Sequence, residues 1–439
     1  MIPFVFKKEK KILSQRKPRL KATFNSSISC EYFYSNPLRI CVNLDLIVKM
    51  LSYVKSNFLR LKSRLQKNSI ENLLWLVNLI PSVSGSSLGS NRKSVISVPF
   101  WVVSVGLLTY VYVAGNVMFQ LKFAKSPGDY IKSNVNVLLL LLTYNNCYWW
   151  LRQSALLKKV LKQVKENDRL AKESAGHFEI HEKLLSVVKK IILIFYGSIW
   201  TDAVFIYLPN RVDISNNHYC MTPCVGMEPL SATPNRQICK TILFIQEVIL
   251  VIIDLNYQTL QLLLISHTAT MYRLLAEEMQ QLDAPVFDEN HYQRIKFKLP
   301  SLIFRHVLTL DIIKNLQSLY SFPMGVNFGL NTVCIALFFY LPTEEWIDFC
   351  PFLIYCFFVF FLYCYLCQKL IDASEMFERS VYACGWEKYN IKEMKIVYII
   401  MLQSQKPIEL LAADIVPINI YTFATTIQFL YKFITIVKF

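Results

Sequence analysis

The string HYCMTPC, from His218 to Cys224, is where this sequence comes nearest to a metal site, because His218, Cys220 and Cys224 are ligand types set close together. A structural zinc site takes a full tetrahedral set of such ligands, and the remaining histidines are scattered without that spacing. A disulfide or a free thiol is therefore expected at Cys220 and Cys224, with Cys239 and Cys350 as other candidate partners, and no metal. Carboxylates are the next candidates. Asp202, Glu247 and Asp254 interrupt otherwise apolar runs, and a carboxylate in hydrocarbon must face protein, water or a ligand. Glu247 and Asp254 fit a ligand or ion path as well as they fit helix contacts, whereas Asp202 better fits a contact. Neither a phosphate loop nor a nucleophile elbow is present, so neither catalysis nor a cofactor is expected.

A third set lies near the C-terminus. At about 100° per residue, Thr425, Gln428, Lys432 and Thr435 share an arc of about 80°, with Phe429, Leu430, Phe433 and Ile434 mostly elsewhere. Facing water, such a stripe would line a conduction path. Facing protein, its threonines would bond to neighbouring helices.

These residues need a scaffold, and composition indicates which. Hydrophobic residues make up 54% of the chain and charged ones 18%, a balance that points to a membrane protein. A bilayer-spanning helix needs about 20 mostly apolar residues. Runs of that length place seven spans, at about 98–120, 133–151, 191–209, 241–270, 315–341, 349–368 and 414–437. An eighth apolar stretch, Asn72 to Asn91, is broken by Pro81 and Ser/Gly-rich sequence and is expected to lie at the interface. The chain thus reads as a basic segment, 1–93, followed by an all-α domain of seven transmembrane helices, 94–439. The basic first residues lack the apolar core of a secretory signal, so the first span is expected to target the chain itself.

Orientation follows from the basic residues, because cytoplasmic flanks retain Lys and Arg. With the N-terminus inside, 38 of the 47 fall in inner segments and six in outer ones. The prediction is a cytoplasmic N-terminus and an extracellular C-terminus, the reverse of a G-protein-coupled receptor. Asn25-Ser26-Ser27 would then be cytosolic and unglycosylated. Residues 1–70 carry 15 basic against three acidic side chains, which suits anionic inner-leaflet lipid and lacks the aromatic-basic modules of nucleic-acid binding. A secondary transporter would show paired repeats or broken helices, and neither is seen.

Helical patterning runs on beyond spans 2, 4 and 6, through Leu151 to Leu161, through Met271 to Met279, and to about Ala383 before Gly385. After span 6, Ser374, Tyr382 and Trp386 precede the string IIMLQSQKPIELLAADI. This resembles the C-terminal signature of insect odorant receptors: a Gln/Ser-rich turn, Lys-Pro, a leucine-rich half-turn and an Ala-Gly pair. Gln403, Ser404, Lys406, Pro407, Leu410 and Ala412 match, while Ala413-Asp414 stands where the glycine belongs. Pro417, Phe423, Tyr431, Phe433 and Thr435 also fall where that family's last helix has similar residues. The gustatory receptors are a near miss, since only four residues separate Thr422-Phe423 from Gln428-Phe429 where their signature has five.

The resemblance implies an odorant receptor channel fold: a heterotetramer with a shared co-receptor in the plasma membrane of a sensory neuron dendrite, its inner helix ends forming an anchor. It implies a pocket for a small volatile ligand between helices 2, 3, 4 and 6. Candidate lining residues there are Val135, Leu139, Leu142, Phe205, Tyr207, Phe244, Val248, Phe352 and Tyr355. It further implies a cation pore along the seventh helix, lined by Thr425, Gln428, Lys432 and Thr435, with Ile436 as an apolar constriction. Lys432 is out of character there: either it snorkels outward or only some subunits of the assembly carry it, which favours a heteromer.

Overall fold

The computed structural model describes residues 63–64, 66–78, 98–173, 178–204, 214–215, 218–219, 224–227, 234–283, 289–342, 346–406 and 408–438. The chain divides into two units, Met1–Ser63 and Arg64–Phe439, and every helix below belongs to the second. In order they are α1 (Ile70–Val77), α2 (Val98–Thr109, Tyr110–Gly115 and Asn116–Lys122 as one run), α3 (Pro127–Arg152), α4 (Ser154–Glu173), α5 (Phe178–Asp202), α6 (Asn235–Gln280), α7 (Glu289–Phe338), α8 (Trp346–Tyr382), α9 (Ile391–Ser404) and α10 (Ile420–Lys438). The seven expected spans fall on α2, α3, α5, α6, α7, α8 and α10, except that the last, expected from Asp414, becomes helical only at Ile420, because the residues before it form a hairpin. Among the described residues, Trp101–Lys122, Glu179–Thr201, His291–Phe338 and Phe352–Lys388 have the length and apolarity of a membrane span on their own.

Local chemistry sets the helix ends. At the start of α3 the Ser126 hydroxyl accepts from the Asp129 N–H at 3.2 Å, while Asp129 Oδ2 accepts from the Ser126 N–H at 3.0 Å. Pro127 fills the first turn, where a missing N–H costs nothing. Beyond α8, Gly385 adopts φ 74°, and a Cβ there would sit 2.5 Å from Asp283 Oδ1, so only glycine turns the chain at this point. Sequence reading begins span 5 at Asn315, yet α7 starts at Glu289. Arg294, Lys296 and Lys298 keep that first part out of hydrocarbon without opposing helix formation. Of the interfacial lead-in, Ile70–Val77 is helical, capped by Ser69 and buried through Ile70, Leu73, Leu74 and Val77.

The bundle is organised around α6, which is buried along most of its length and packs chiefly on α8 and α5. A helix apolar on one face only would leave its other side wet; α6 instead buries Gln246, Gln258, Thr259, Gln261, His267 and Thr270 among its neighbours. Tyr355 and Tyr363 of α8 donate their hydroxyls to Gln258 and Gln261 at 3.2 and 3.1 Å. Further along, α4, α5 and α6 meet at Asp168, whose carboxylate lies 2.8 Å from His181 and 2.7 Å from Lys172. Burial alone would raise its pKa, but hydrogen bonds from His181 and Lys172, with His267 3.7 Å away, outweigh this and hold it well below the usual carboxylate range. Near its end α6 is tied to α7 by a buried ion pair, with Arg305 Nη1 donating to both Glu278 oxygens at 2.6 and 2.8 Å.

The cysteine expectation needs correcting. Cys224 is bonded to Cys239, 15 residues on, with Cα atoms 5.8 Å apart. Cys239 stands in the first turns of α6, where the helix holds it rigidly against the incoming loop. The same loop is fixed to α2 by the Tyr110 hydroxyl, which donates to the Val225 carbonyl at 2.7 Å. Cys350 is exposed as a free thiol, and Cys220 lies outside the described residues.

A short hairpin, β1 (Leu411–Ala412) and β2 (Val416–Pro417), leads into α10. It docks on one face of α7 made by Gln317, Ser321 and Gly325, four residues apart. Gln317 exchanges hydrogen bonds with the Leu411 backbone at 2.9 and 3.1 Å, and the Ala413 N–H donates to the Ser321 carbonyl at 2.8 Å. Asp414 closes the contact, its carboxylate accepting from both Ser321 and Gln317 at 2.6 Å. Ala413 and Asp414 adopt φ 51° and 57°, and a Cβ on Gly325 would come within 2.8 Å of the Ala413 Cβ.

Two expectations follow for the purified chain in detergent. Arg305→Met should strand the Glu278 carboxylate and cost about 3–5 kcal/mol, seen as a lower melting temperature, while Arg305→Met with Glu278→Leu should recover most of the loss. Equal melting of both variants would show that the ion pair is not what joins α6 to α7. Gly325→Ala should cost about 1–3 kcal/mol through overpacking, and adding Ala413→Gly should return about 1 kcal/mol by relieving both the contact and the left-handed alanine. Unchanged melting of Gly325→Ala would mean that the hairpin does not dock as described.

Candidate ligand cavity and conduction helix

A cavity opens between α3, α5, α6, α7 and α8. Leu139 and Leu142 of α3 line it, with Ile199 and Ala203 at the end of α5, and Phe352, Tyr355 and Cys356 of α8. From α6 come Glu247, Leu250, Val251, Asp254 and Leu255, a stripe at helical spacing. Asn331 enters from α7. The wall is thus largely apolar, with a few polar atoms that would orient a small molecule.

The candidate residues distribute unevenly around it. Leu139, Leu142, Phe352 and Tyr355 line the cavity. Val135 lies behind the wall in an apolar cluster with Leu139, Cys334, Ile335, Phe352, Cys356 and Leu430. Phe244 is outside the lining and 48% exposed, because it stands a turn beyond Glu247 where the cavity has ended. Val248 is also outside the lining, rotated about 100° from Glu247. Phe205 and Tyr207, and the side chain of Asp202, lie outside the described residues.

Asp254 does two things at once. It lines the cavity, and it is hydrogen-bonded by Thr143 at 2.9 Å and by Asn146 at 2.8 Å, both on α3. The Asn146 carbonyl oxygen in turn accepts from Asn327 of α7 at 3.0 Å. Asn327 accepts from Asn145 at 2.9 Å, and Asn145 also donates to the Pro323 carbonyl at 3.3 Å. A chain of hydrogen bonds therefore runs from the cavity wall to the proline that interrupts the backbone ladder of α7. Pro323, Asn327 and Asn331 share one face of that helix, and Ser321 with its hairpin contacts lies roughly 200° away from Pro323. One helix thus stands between the cavity and the root of α10.

Sequence reading passed over these asparagines. The signal was present: Asn145 and Asn146 sit in an uncharged run, and Asn327 and Asn331 are four apart in another. An amide in hydrocarbon needs a partner, and this spacing puts two of them on one face.

On α10, Leu430 is buried and Phe423 and Ile427 are half-buried against α8 and its neighbours. Thr425, Gln428, Lys432, Thr435 and Ile436 lie roughly opposite, about 140–240° from Leu430. Gln428, Lys432 and Ile436 are exposed, Ile436 at 78%. Thr425 and Thr435 donate their hydroxyls back to carbonyls one turn earlier, at 3.0 Å to Tyr421 and to Tyr431. Those threonines satisfy themselves within the helix, so the stripe can stand against water without a partner helix. Leu430 shares its apolar cluster with Leu139, Phe352 and Cys356 of the cavity wall, so α10 also touches the cavity's outer side directly.

Comparison with known proteins bears on the whole arrangement. The chain is similar to the insect olfactory receptor OR5 from Machilis hrabei, with a TM-score of 0.66 and 14% identity over 82% of this chain and 96% of that one. The same receptor in complex with eugenol matches with a TM-score of 0.66 and 13% identity, over 84% and 97%. Both likenesses are of fold. In Drosophila melanogaster, Odorant receptor 67a is 27% identical over 42% of this chain and 46% of its own length, and Odorant receptor 67c is 25% identical over 36% and 40%. The chain thus matches a little under half the length of these relatives. Residues 128–431 match the family model described as 7tm Odorant receptor, a match that begins with α3 and ends within α10. The chain belongs to the 7tm Odorant receptor family.

Proposed function

We propose that this chain is the odorant-tuning subunit of a ligand-gated cation channel, assembled with the family's co-receptor as a heterotetramer in the plasma membrane of a sensory neuron dendrite. The N-terminus is cytoplasmic and the C-terminus extracellular, as the placement of Lys and Arg supports. The observation that carries the reading is the largely apolar cavity between α3, α5, α6, α7 and α8, whose lining suits a small volatile molecule. The receptor of similar fold from Machilis hrabei has been solved with eugenol, which supports the same class of ligand here.

Coupling follows from geometry. A ligand touching Asp254 or Asn331 biases the amide chain through Asn146 and Asn327 to Pro323, and the part of α7 beside that proline carries the hairpin before α10. Contact of Leu430 with the cavity's apolar wall adds a second, shorter route. Either route moves the helix whose polar stripe lines the pore, and Ile436 supplies the apolar ring that closes it by dewetting. Membrane lipid surrounds the assembly and meets the basic N-terminal segment on its inner face.

Co-expression with the co-receptor should give a cation current evoked by some member of a volatile panel, and a tag at the C-terminus should stain in unpermeabilised cells. Surface protein without current under any volatile, or a tag seen only after permeabilisation, would count against this reading. Asn327→Leu strips the partners from Asn145 and Asn146, a loss of about 1–3 kcal/mol in a buried amide network. It should raise the half-maximal ligand concentration roughly fivefold or more at unchanged surface level, and an unaltered dose response would remove the amide chain from gating.

A further inference from the structure

The cavity wall is apolar except at a few atoms, and the chemistry of those atoms is one-sided. Glu247 and Asp254 are 3% and 7% exposed and both line it, seven residues apart on α6. Asp254 is bonded by Thr143 and Asn146, both neutral donors. Among the described residues no lysine, arginine or histidine lines the cavity. Tyr355 already donates its hydroxyl proton to Gln258, so toward a ligand it can only accept. Asn331 is 7% exposed, lines the cavity, and makes no hydrogen bond to another described residue. A buried amide without a partner is costly, and its position on the wall makes a ligand atom the group that would complete it.

An occupant that only accepts hydrogen bonds, such as an ether or an ester, would place its oxygen against carboxylate and phenol oxygens. An occupant bearing a cation would be drawn by two acids in a low dielectric, where charge pairs are least screened. The rest of the wall asks for hydrocarbon. We infer that the cavity takes a small, mostly apolar amine, its nitrogen held by Glu247 and Asp254 with Asn331 as a third polar contact. An amine can arrive as the ammonium or as the volatile free base. In the second case a carboxyl proton passes to the nitrogen, and both routes end on the same ammonium–carboxylate pair. The inference rests on the odorant-receptor reading above and adds the ligand's chemical class.

The test separates the two. The purified full chain in lipid nanodiscs is titrated with hexylamine, hexanol and methyl pentyl ether, which match in size and differ in the polar atom, and binding is followed by tryptophan fluorescence. Hexylamine should bind at least about tenfold more tightly than either oxygen compound, given what a desolvated charge pair contributes. Glu247→Gln and Asp254→Asn should each lower amine affinity about tenfold or more, while ether binding should be kept or strengthened because each amide offers the ether oxygen a donor; retained ether binding also reports that the variants are folded. Ether or alcohol binding as tight as the amine, no saturable binding of any of the three, or an amine preference that survives both substitutions together would overturn the inference. The wild-type comparison decides it even if a variant fails to fold. Absence of current with the co-receptor would leave the binding result standing, whereas current evoked by ethers and esters but by no amine would uphold the channel reading and reject this one.

Discussion

A polar side chain inside a membrane bundle has no water to fall back on, and most of this architecture can be read as the consequence of that constraint on α6. The helix is buried on nearly all sides, yet it carries amides, hydroxyls, a histidine and carboxylates along its length. Ser266, Thr268 and Thr270 donate to carbonyls of α6 itself, and others are met from neighbouring helices, because an unanswered polar atom in hydrocarbon costs several kcal/mol. Gln258 and Gln261 therefore require tyrosines at Tyr355 and Tyr363 of α8, and Asp254 requires Thr143 and Asn146 of α3. These bonds fix which helices surround α6, and in what rotation, where apolar packing alone would tolerate several arrangements.

The cavity follows from the same bonds. With α3 and α8 each tied to α6, the space between them cannot collapse without breaking a buried hydrogen bond, so a void persists where an all-apolar core would close up. Its wall is then necessarily continuous with the amide chain to Pro323. That proline gives α7 a place to bend, and the hairpin before α10 is anchored within a turn of it through Ser321. The left-handed Ala413 fits this picture. The family's signature has a glycine at this turn, and the chain holds a non-glycine residue there at positive φ, paying about 1–2 kcal/mol to keep the contact.

How much of this was legible in the sequence depended on which physical rule each part obeys. The spans were legible because run length is dictated by bilayer thickness, and Asn235–Gln280 and Trp346–Tyr382 run on past their spans as the patterning indicates. The start of α7 was not, because Arg294, Lys296 and Lys298 end an apolar run without ending a helix. Within the site, Leu139, Leu142, Phe352 and Tyr355 could be chosen from helix and depth, since apolar and aromatic residues on inward faces are common to any such pocket. Asn331, Leu250 and Val251 could not, because membership in the wall depends on the rotation of α6 and α7, and that is set by partners far away in sequence. Cys239 stood among the candidate partners of Cys224, but the choice between it and the nearer Cys220 could not be made from sequence, because it depends on which cysteine α6 presents to the loop.

Lys432 tests the proposed assembly by arithmetic. It lies on the exposed face of α10, opposite Leu430, among the residues assigned to the pore. If four copies faced one another, neighbouring ammonium groups about 10 Å apart in an effective dielectric of about 20 would repel by about 1.7 kcal/mol per pair. A ring of four has four such neighbouring pairs and two longer diagonals, so the closed homomer would carry a repulsion comparable to the stability of a whole domain. Two opposite copies leave only one diagonal, and a single copy leaves none. The same lysine that would defeat a homomeric cation pore is tolerable when most of the ring is made by a different subunit. On this reading heteromeric assembly is an electrostatic requirement of the conduction helix, quite apart from any specificity in how the subunits recognise each other.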